Sequence, residues 1–255
     1  MFHDEFIAVS NAAKAKVNLL KENPMGYFVS SMMAGMFIGF GILLIFTIGG
    51  LLTEMPYAKL IMGLSFGIAL SLVVIAGGEL FTGNNMIMMS GVLNKKVSIA
   101  DALKLWLICY VGNWLGSIIL AFMFYFAGLA TKNVGEFIAL SSSLKMNASI
   151  SALFFRGILC NILVCLATWC SFRCKSESGK LIMIFWCLFA FITSGFEHSI
   201  ANMTLLTIGL LSPFSADISL IGYFYNILIV TLGNMVGGIL FVAIPYYIIS
   251  KKKEV

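Results

Sequence analysis

Apolar residues fill the chain in six long blocks, and polar and charged residues collect in short stretches between them. The blocks lie near Tyr27–Leu52, Leu60–Met89, Leu103–Ala130, Ile150–Phe172, Leu181–Leu210 and Leu220–Ser250. Each reaches or exceeds the roughly 20 apolar residues that cross a bilayer, so each is read as a membrane span. Several are longer than that, which predicts tilt or a break. The pattern differs before the first block, where Phe2, Phe6, Val9, Ala13, Val17 and Leu20 recur at helical spacing with Lys14, Lys16 and Lys21 among the polar positions. This predicts an amphipathic helix on the inner membrane surface, ended at Asn23-Pro24. It is not a signal peptide: Asp4 and Glu5 stand where a basic region should be, and no apolar core follows. The expected organisation is an interfacial helix over 1–24, one transmembrane domain over 25–250 and a basic tail over 251–255.

Composition narrows the class. The chain has 255 residues, 60% hydrophobic and 11% charged, with a mean hydropathy of +1.01. Soluble domains carry about 25% charge, so disorder, nucleic-acid binding and an ordinary cytosolic enzyme are excluded. The net charge of +5 matters through its placement. Twelve basic residues fall on one side of the six spans: Lys14, Lys16, Lys21, Lys95, Lys96, Lys104, Arg173, Lys175, Lys180, Lys251, Lys252 and Lys253. Only Lys59, Lys132 and Lys145 fall on the other, and Arg156 lies inside a span. The positive-inside rule then places both termini in the cytoplasm of a multi-pass inner-membrane protein.

The two halves of the chain resemble each other. Gly112-Asn113-Trp114-Leu115-Gly116 in the third span recurs as Gly233-Asn234-Met235-Val236-Gly237 in the sixth, 121 positions later. Gly78 pairs with Gly195 and Asn85 with Asn202 at an offset of 117, and Gly35 pairs with Gly157 at 122. Two repeats follow, over about 27–130 and 150–250, each of three spans. An odd number of spans forces the second repeat to be inverted relative to the first, as in many transporters and channels, with the site near the midplane. The Gly-xxx-Gly spacings at Gly35/Gly39, Gly63/Gly67, Gly112/Gly116 and Gly233/Gly237 imply closely packed helices.

Ionisable groups within spans are costly and mark function. They are Glu79, Arg156, Glu197 and His198. Glu79 sits in Gly77-Gly78-Glu79-Leu80-Phe81-Thr82-Gly83-Asn84-Asn85 of span 2, and Glu197 and His198 sit in Ser194-Gly195-Phe196-Glu197-His198-Ser199-Ile200-Ala201-Asn202 of span 5. Both stretches should break a helix. Interrupted segments at matching places in two halves point to a substrate site, and a helix start there would turn backbone N–H groups toward an anion. His198 is expected in the pore, donating a hydrogen bond to an anion or exchanging a proton near neutral pH. Glu197 and Glu79 are expected to anchor the broken segments or a neighbour rather than face an anion. Arg156 is expected to pair with one of these carboxylates.

Two patterns offer other chemistry. Gly63-Leu64-Ser65-Phe66-Gly67 has the G-x-S-x-G spacing of serine hydrolases, with His198 as a conceivable base, but that motif works at a strand–turn–helix elbow and here lies in an apolar helix. The six cysteines, Cys109, Cys160, Cys165, Cys170, Cys174 and Cys187, form no Cys-x-x-Cys and read as packing. No metal, cofactor or catalytic residue is expected.

The glycine- and asparagine-rich break of span 2 and the run Phe196-Glu197-His198-Ser199-Ile200-Ala201-Asn202-Met203 resemble the formate/nitrite transporter family along essentially the whole chain, and most of all its bacterial hydrosulfide channels. The resemblance implies a homopentamer of aquaporin-like protomers, each with its own anion pore. It places His198 at the pore centre facing Thr82, with Glu197 beside it. Lys145 becomes an outer-vestibule lysine, Asn161 an asparagine near the histidine, and Asn202 a pore-lining or loop-fixing residue. Phe66 and Phe191 would form an outer constriction, and Leu70, Leu80 and Phe81 an inner one. The expected fold is an all-α membrane protein of six transmembrane helices in two inverted repeats, with helices 2 and 5 broken. The expected function is passage of small weak-acid anions, hydrosulfide first, then formate and nitrite, with membrane lipid and other copies of the chain as partners. A pore for water, glycerol or ammonia and an intramembrane Ser–His hydrolase are the alternatives; the chain lacks the paired Asn-Pro-Ala loops of aquaporins.

Overall fold

The computed structural model describes residues 1–251, so the basic tail beyond Lys251 lies outside the described residues. Helix α1 (His3–Glu22) is followed by α2 (Pro24–Leu51), then by α3 (Ala58–Ser65) and α4 (Ile68–Leu72), which runs into a wide π turn over Val73–Gly77. The second block resumes as α5 (Phe81–Leu93), and α6 (Ile99–Phe126) and α7 (Lys132–Met146) complete the first half. The second half comprises α8 (Ile150–Arg173), α9 (Glu177–Ser194), α10 (Ser199–Leu211), α11 (Leu220–Gly238), a second π turn and α12 (Ile244–Ser250). Six helical segments among the described residues are long and apolar enough to cross a membrane, one in each sequence block, and the protein is a multi-pass membrane protein.

Helices start where polar caps stand. Ser149, Ser176 and Ser219 each accept a backbone N–H three residues on, and Ser98 and Asp101 form a reciprocal capping box at the head of α6. The expected breaks occur at Gly77 and Gly195, whose φ of +85° and +76° suits only glycine at low cost.

The halves are related as inverted repeats, and backbone contacts fix their register. The Glu79 N–H donates to the Ser30 carbonyl, and the Glu197 N–H donates to the Arg156 carbonyl. Asn113 Oδ1 accepts the Phe81 N–H while its Nδ2 donates to the Ser31 and Glu79 carbonyls. Asn234 repeats this on Ser199, Gly157 and Glu197. Asn113 and Asn234 are therefore equivalent, as the repeat implied. The weaker matches slip: Gly195 corresponds to Gly77, Asn202 to Asn84, and Gly157 to Ser31 rather than Gly35. Doubled glycines and asparagines at the breaks read equally well one position out, whereas hydrogen bonds do not.

Glycines of α6 and α11 let each helix close on its partner within its own half. A Cβ on Gly116 would run into the Met32 carbonyl of α2, and one on Gly237 into the Ile158 carbonyl of α8. Gly237→Ala is expected to destabilise the protein by about 1–3 kcal/mol through overpacking against backbone, read as a lower unfolding midpoint in detergent.

Two elements differ from expectation. The apolar stripe of α1 (Phe6, Val9, Ala13, Val17, Leu20) is covered by the bundle itself rather than lying on lipid. Helix α7 fills the stretch between the third and fourth apolar blocks, where its polar content hides the stripe formed by Gly135, Ile138, Ala139, Ser142 and Met146.

Candidate functional site

The two breaks meet near the middle of the bundle. His198 caps α10, its Nδ1 accepting the Ala201 N–H at 3.1 Å. That contact requires a lone pair on Nδ1, so the ring proton is assigned to Nε2, which lies 3.0 Å from Thr82 Oγ1 of α5. The buried imidazole is thus a neutral donor, with Phe191 stacked over it at 6.1 Å.

Beside His198 is a small chamber of about 10 Å³ lined by Ile38, Phe66, Leu70, Leu80, Val164, Leu188 and Phe191. That is room for about one water, so a polyatomic ion passes only if side chains part. On one side the Phe66 and Phe191 rings meet edge to face at 5.4 Å. On the other, Leu70 and Leu80 separate the chamber from a second cavity.

A cavity opens on each face. The far-face vestibule, about 550 Å³, is lined by Lys59, Lys145, Arg156, Phe191, Glu197, His198 and Asn202 among others. The terminal-face vestibule, about 410 Å³, includes Lys16, Leu70, Glu79, Leu80, Asn84 and Thr168. Each holds the same device. Lys145 Nζ donates to both Glu197 oxygens at 2.7 Å, and Asn202 donates to Glu197 Oε2 at 2.7 Å. Lys16 Nζ donates to both Glu79 oxygens at 2.6 and 2.7 Å, and Asn84 donates to Glu79 Oε2 at 2.9 Å. A carboxylate at membrane depth is tolerable because it is paired and bonded on its remaining lone pairs. Asn226 completes the far-face network, accepting from Asn202 and donating to the Lys145 carbonyl.

Several sequence expectations are corrected. Arg156 pairs with neither Glu79 nor Glu197, which already hold Lys16 and Lys145; it stands exposed at the far-face vestibule. It closes the second turn of α8, near that helix's far-face end, so its side chain reaches the mouth rather than the midplane. Phe81 lines neither the chamber nor a vestibule. It follows Leu80 by one helical step, which turns its ring onto Tyr110 of α6 at 4.9 Å. Asn161 also stands behind the chamber wall, donating to the Thr82 and Asn234 carbonyls and to Asn85 Oδ1. It braces the first turn of α5, which carries Thr82. The leading N–H groups of the two new helices, Phe81 and Ser199, are not presented to an anion, since Asn113 and Asn234 take them.

The alternative chemistries find little support in the geometry. Ser65 Oγ donates to the Ile61 carbonyl one turn back, and His198 is engaged by Thr82 and Ala201. All six cysteines are free, four of them buried. Lys16, Asn84, Lys59 and Arg156 were not singled out as vestibule residues. The signal for Lys16 was its place on α1 one turn before Leu20; its partner only the fold reveals.

Six apolar spans in inverted halves, with one buried imidazole beside an apolar chamber and a vestibule on each face, define a membrane channel or transporter rather than an enzyme. The family model described as formate/nitrite transporter matches residues 3–248. The nitrite transporter NirC of Escherichia coli (strain K12) is 43% identical over 256 residues, covering 99% of this chain and 94% of that protein. A solved structure described as an FNT family ion channel superposes with a TM-score of 0.93 at 39% identity, over 97% of this chain and 99% of that one. A pentameric formate channel with formate bound superposes at 0.79 with 32% identity, over 91% and 99%. The chain belongs to the formate/nitrite transporter family.

Proposed function

We propose that the protein passes small monovalent weak-acid anions, nitrite, formate and hydrosulfide, across the bacterial inner membrane through a pore in each protomer. The observation that carries this reading is His198, whose Nε2 meets Thr82 Oγ1 at 3.0 Å beside a small apolar chamber bounded by the Phe66/Phe191 pair and the Leu70/Leu80 pair, with a lysine-bearing vestibule on either side. Cations at the far-face vestibule that no carboxylate neutralises, Lys59 and Arg156, raise the local anion concentration. Apolar pairs reject an ion that keeps its water shell. Between them a weak-acid anion loses most of its desolvation cost by accepting a proton as well as a hydrogen bond; chloride, the base of a strong acid, can accept the hydrogen bond but not the proton. Thr82, whose hydroxyl faces His198, orients the imidazole, and Asn161 holds the Thr82 backbone.

The names of the relatives favour nitrite and formate, and hydrosulfide shares their weak-acid chemistry. The assembly is a homopentamer, a reading supported by the likeness to a pentameric formate channel. The distribution of Lys and Arg supports both termini in the cytoplasm, which makes the far face the outer one. Reconstituted in liposomes, the protein is expected to pass nitrite, formate and hydrosulfide faster than chloride, and faster still at lower pH. No flux of any of the three weak-acid anions overturns the proposal, and pH-independent flux without anion competition would replace it with a neutral-solute pore.

A further inference from the structure

The vestibules share a neutralised Lys–Glu–Asn device, yet they differ in unpaired charge. In the terminal-face cavity Lys16 is matched by Glu79, and Lys180 is 3.1 Å from Glu177. In the far-face cavity Lys145 is matched by Glu197, but Lys59 and Arg156 have no carboxylate within 4.0 Å among the described residues. Both cations stand beside the same broken segment. The Arg156 carbonyl accepts the Glu197 N–H, and Lys59 Nζ lies 2.8 Å from where a Cβ of Gly195 would be. The segment they flank leads directly to His198.

The fold does not require a cation at position 156. Its counterpart in the other half is Ser30, whose carbonyl makes the same bond to the Glu79 N–H. The bond uses backbone alone, so the guanidinium is an addition specific to the far face. A guanidinium differs from an ammonium in presenting parallel N–H donors that match a planar group with two oxygens. Formate and nitrite are bent anions with two such oxygens.

Resting on the transport reading above, we infer that Arg156 and Lys59 form a capture site for planar two-oxygen monoanions at the far-face vestibule. Arg156 takes both oxygens, and Lys59 adds charge beside the break. The anion then passes to the Phe66/Phe191 pair. The site selects by shape before the chamber selects by proton affinity, and its pull acts on the far face alone.

The test is the half-saturating concentration of formate or nitrite, whichever the wild type conducts, for the full chain in liposomes. Variants Arg156→Gln, Arg156→Lys and Lys59→Gln are compared with wild type, each with its oligomer size checked. Losing an exposed charge-assisted pair is expected to raise that concentration about three- to tenfold in Arg156→Gln. Arg156→Lys, which keeps the charge, is expected to recover less than half of this loss on a logarithmic scale, and Lys59→Gln to lose about twofold. A wild-type value in Arg156→Gln overturns the site, and full recovery in Arg156→Lys overturns the two-oxygen geometry. Should Arg156→Gln fail to assemble, the Arg156→Lys comparison decides alone. Absence of flux in wild type would instead count against the transport reading.

Discussion

Asn234→Leu is expected to destabilise the protein severely, and Asn113→Leu to do the same by nearly the same amount. Each asparagine binds three backbone groups, an N–H and a carbonyl of a break and a carbonyl of the neighbouring helix, at 2.8–2.9 Å for Asn234. Hydrogen bonds between membrane helices contribute about 0.6 kcal/mol each on average, which sets a floor near 2 kcal/mol for three. Buried groups left without any partner cost about 1–3 kcal/mol each, and broken backbone at this depth has little water to turn to. A loss of about 2–5 kcal/mol is therefore expected. It would be read as a drop in the unfolding midpoint in detergent and a shift from oligomer to smaller species. Matching losses in the two variants would reflect the inverted repeat directly; a large loss in one and none in the other would show that only one break depends on its asparagine.

Lys145→Met is expected to affect both stability and flux. It leaves Glu197, whose side chain is 4% exposed, as an uncompensated carboxylate in the anion path. Breaking a buried pair from one side costs about 3–5 kcal/mol, and the lysine's 22% exposure places this pair in the lower part of that range. Flux should fall as well, since the vestibule loses a positive charge and exposes a negative one at its narrow end. The double variant Lys145→Met, Glu197→Gln is expected to regain most of the stability, because neither charge is then stranded. Stability that falls further in the double variant would contradict the pairing. Lys16→Met with Glu79→Gln should follow the same pattern at the other vestibule.

Span number, the two breaks and the asparagine repeat were legible in the sequence because each leaves a local mark. Membrane spans need long apolar blocks, helix breaks need glycine, and close helix packing needs small residues one turn apart. His198 stood out because an ionisable group at membrane depth is rare. What could not be read was partnership. Nothing in the order of residues joins Lys16 to Glu79, 63 positions away, or Lys145 to Glu197, 52 away. With those lysines unassigned, Arg156 was the natural partner for a carboxylate, and the fold sends it to the mouth instead. The facing of residues at a helix start was also hidden, since the single step from Leu80 to Phe81 carries one side chain to the pore and the next to Tyr110.

The central claim is that anions pass His198 within each protomer. Its most direct test is weak-acid anion flux through the His198→Phe variant in liposomes, beside wild type and His198→Asn. Phe fills the site but offers no donor in the chamber and no cap for the Ala201 N–H, whereas Asn retains both capacities. A hydrogen bond to a charged group is worth about 1.5–3 kcal/mol, so His198→Phe should lower nitrite and formate flux on the order of ten- to a hundredfold with the oligomer intact, and His198→Asn should retain more. Wild-type flux and selectivity in an intact His198→Phe oligomer would place the anion path elsewhere.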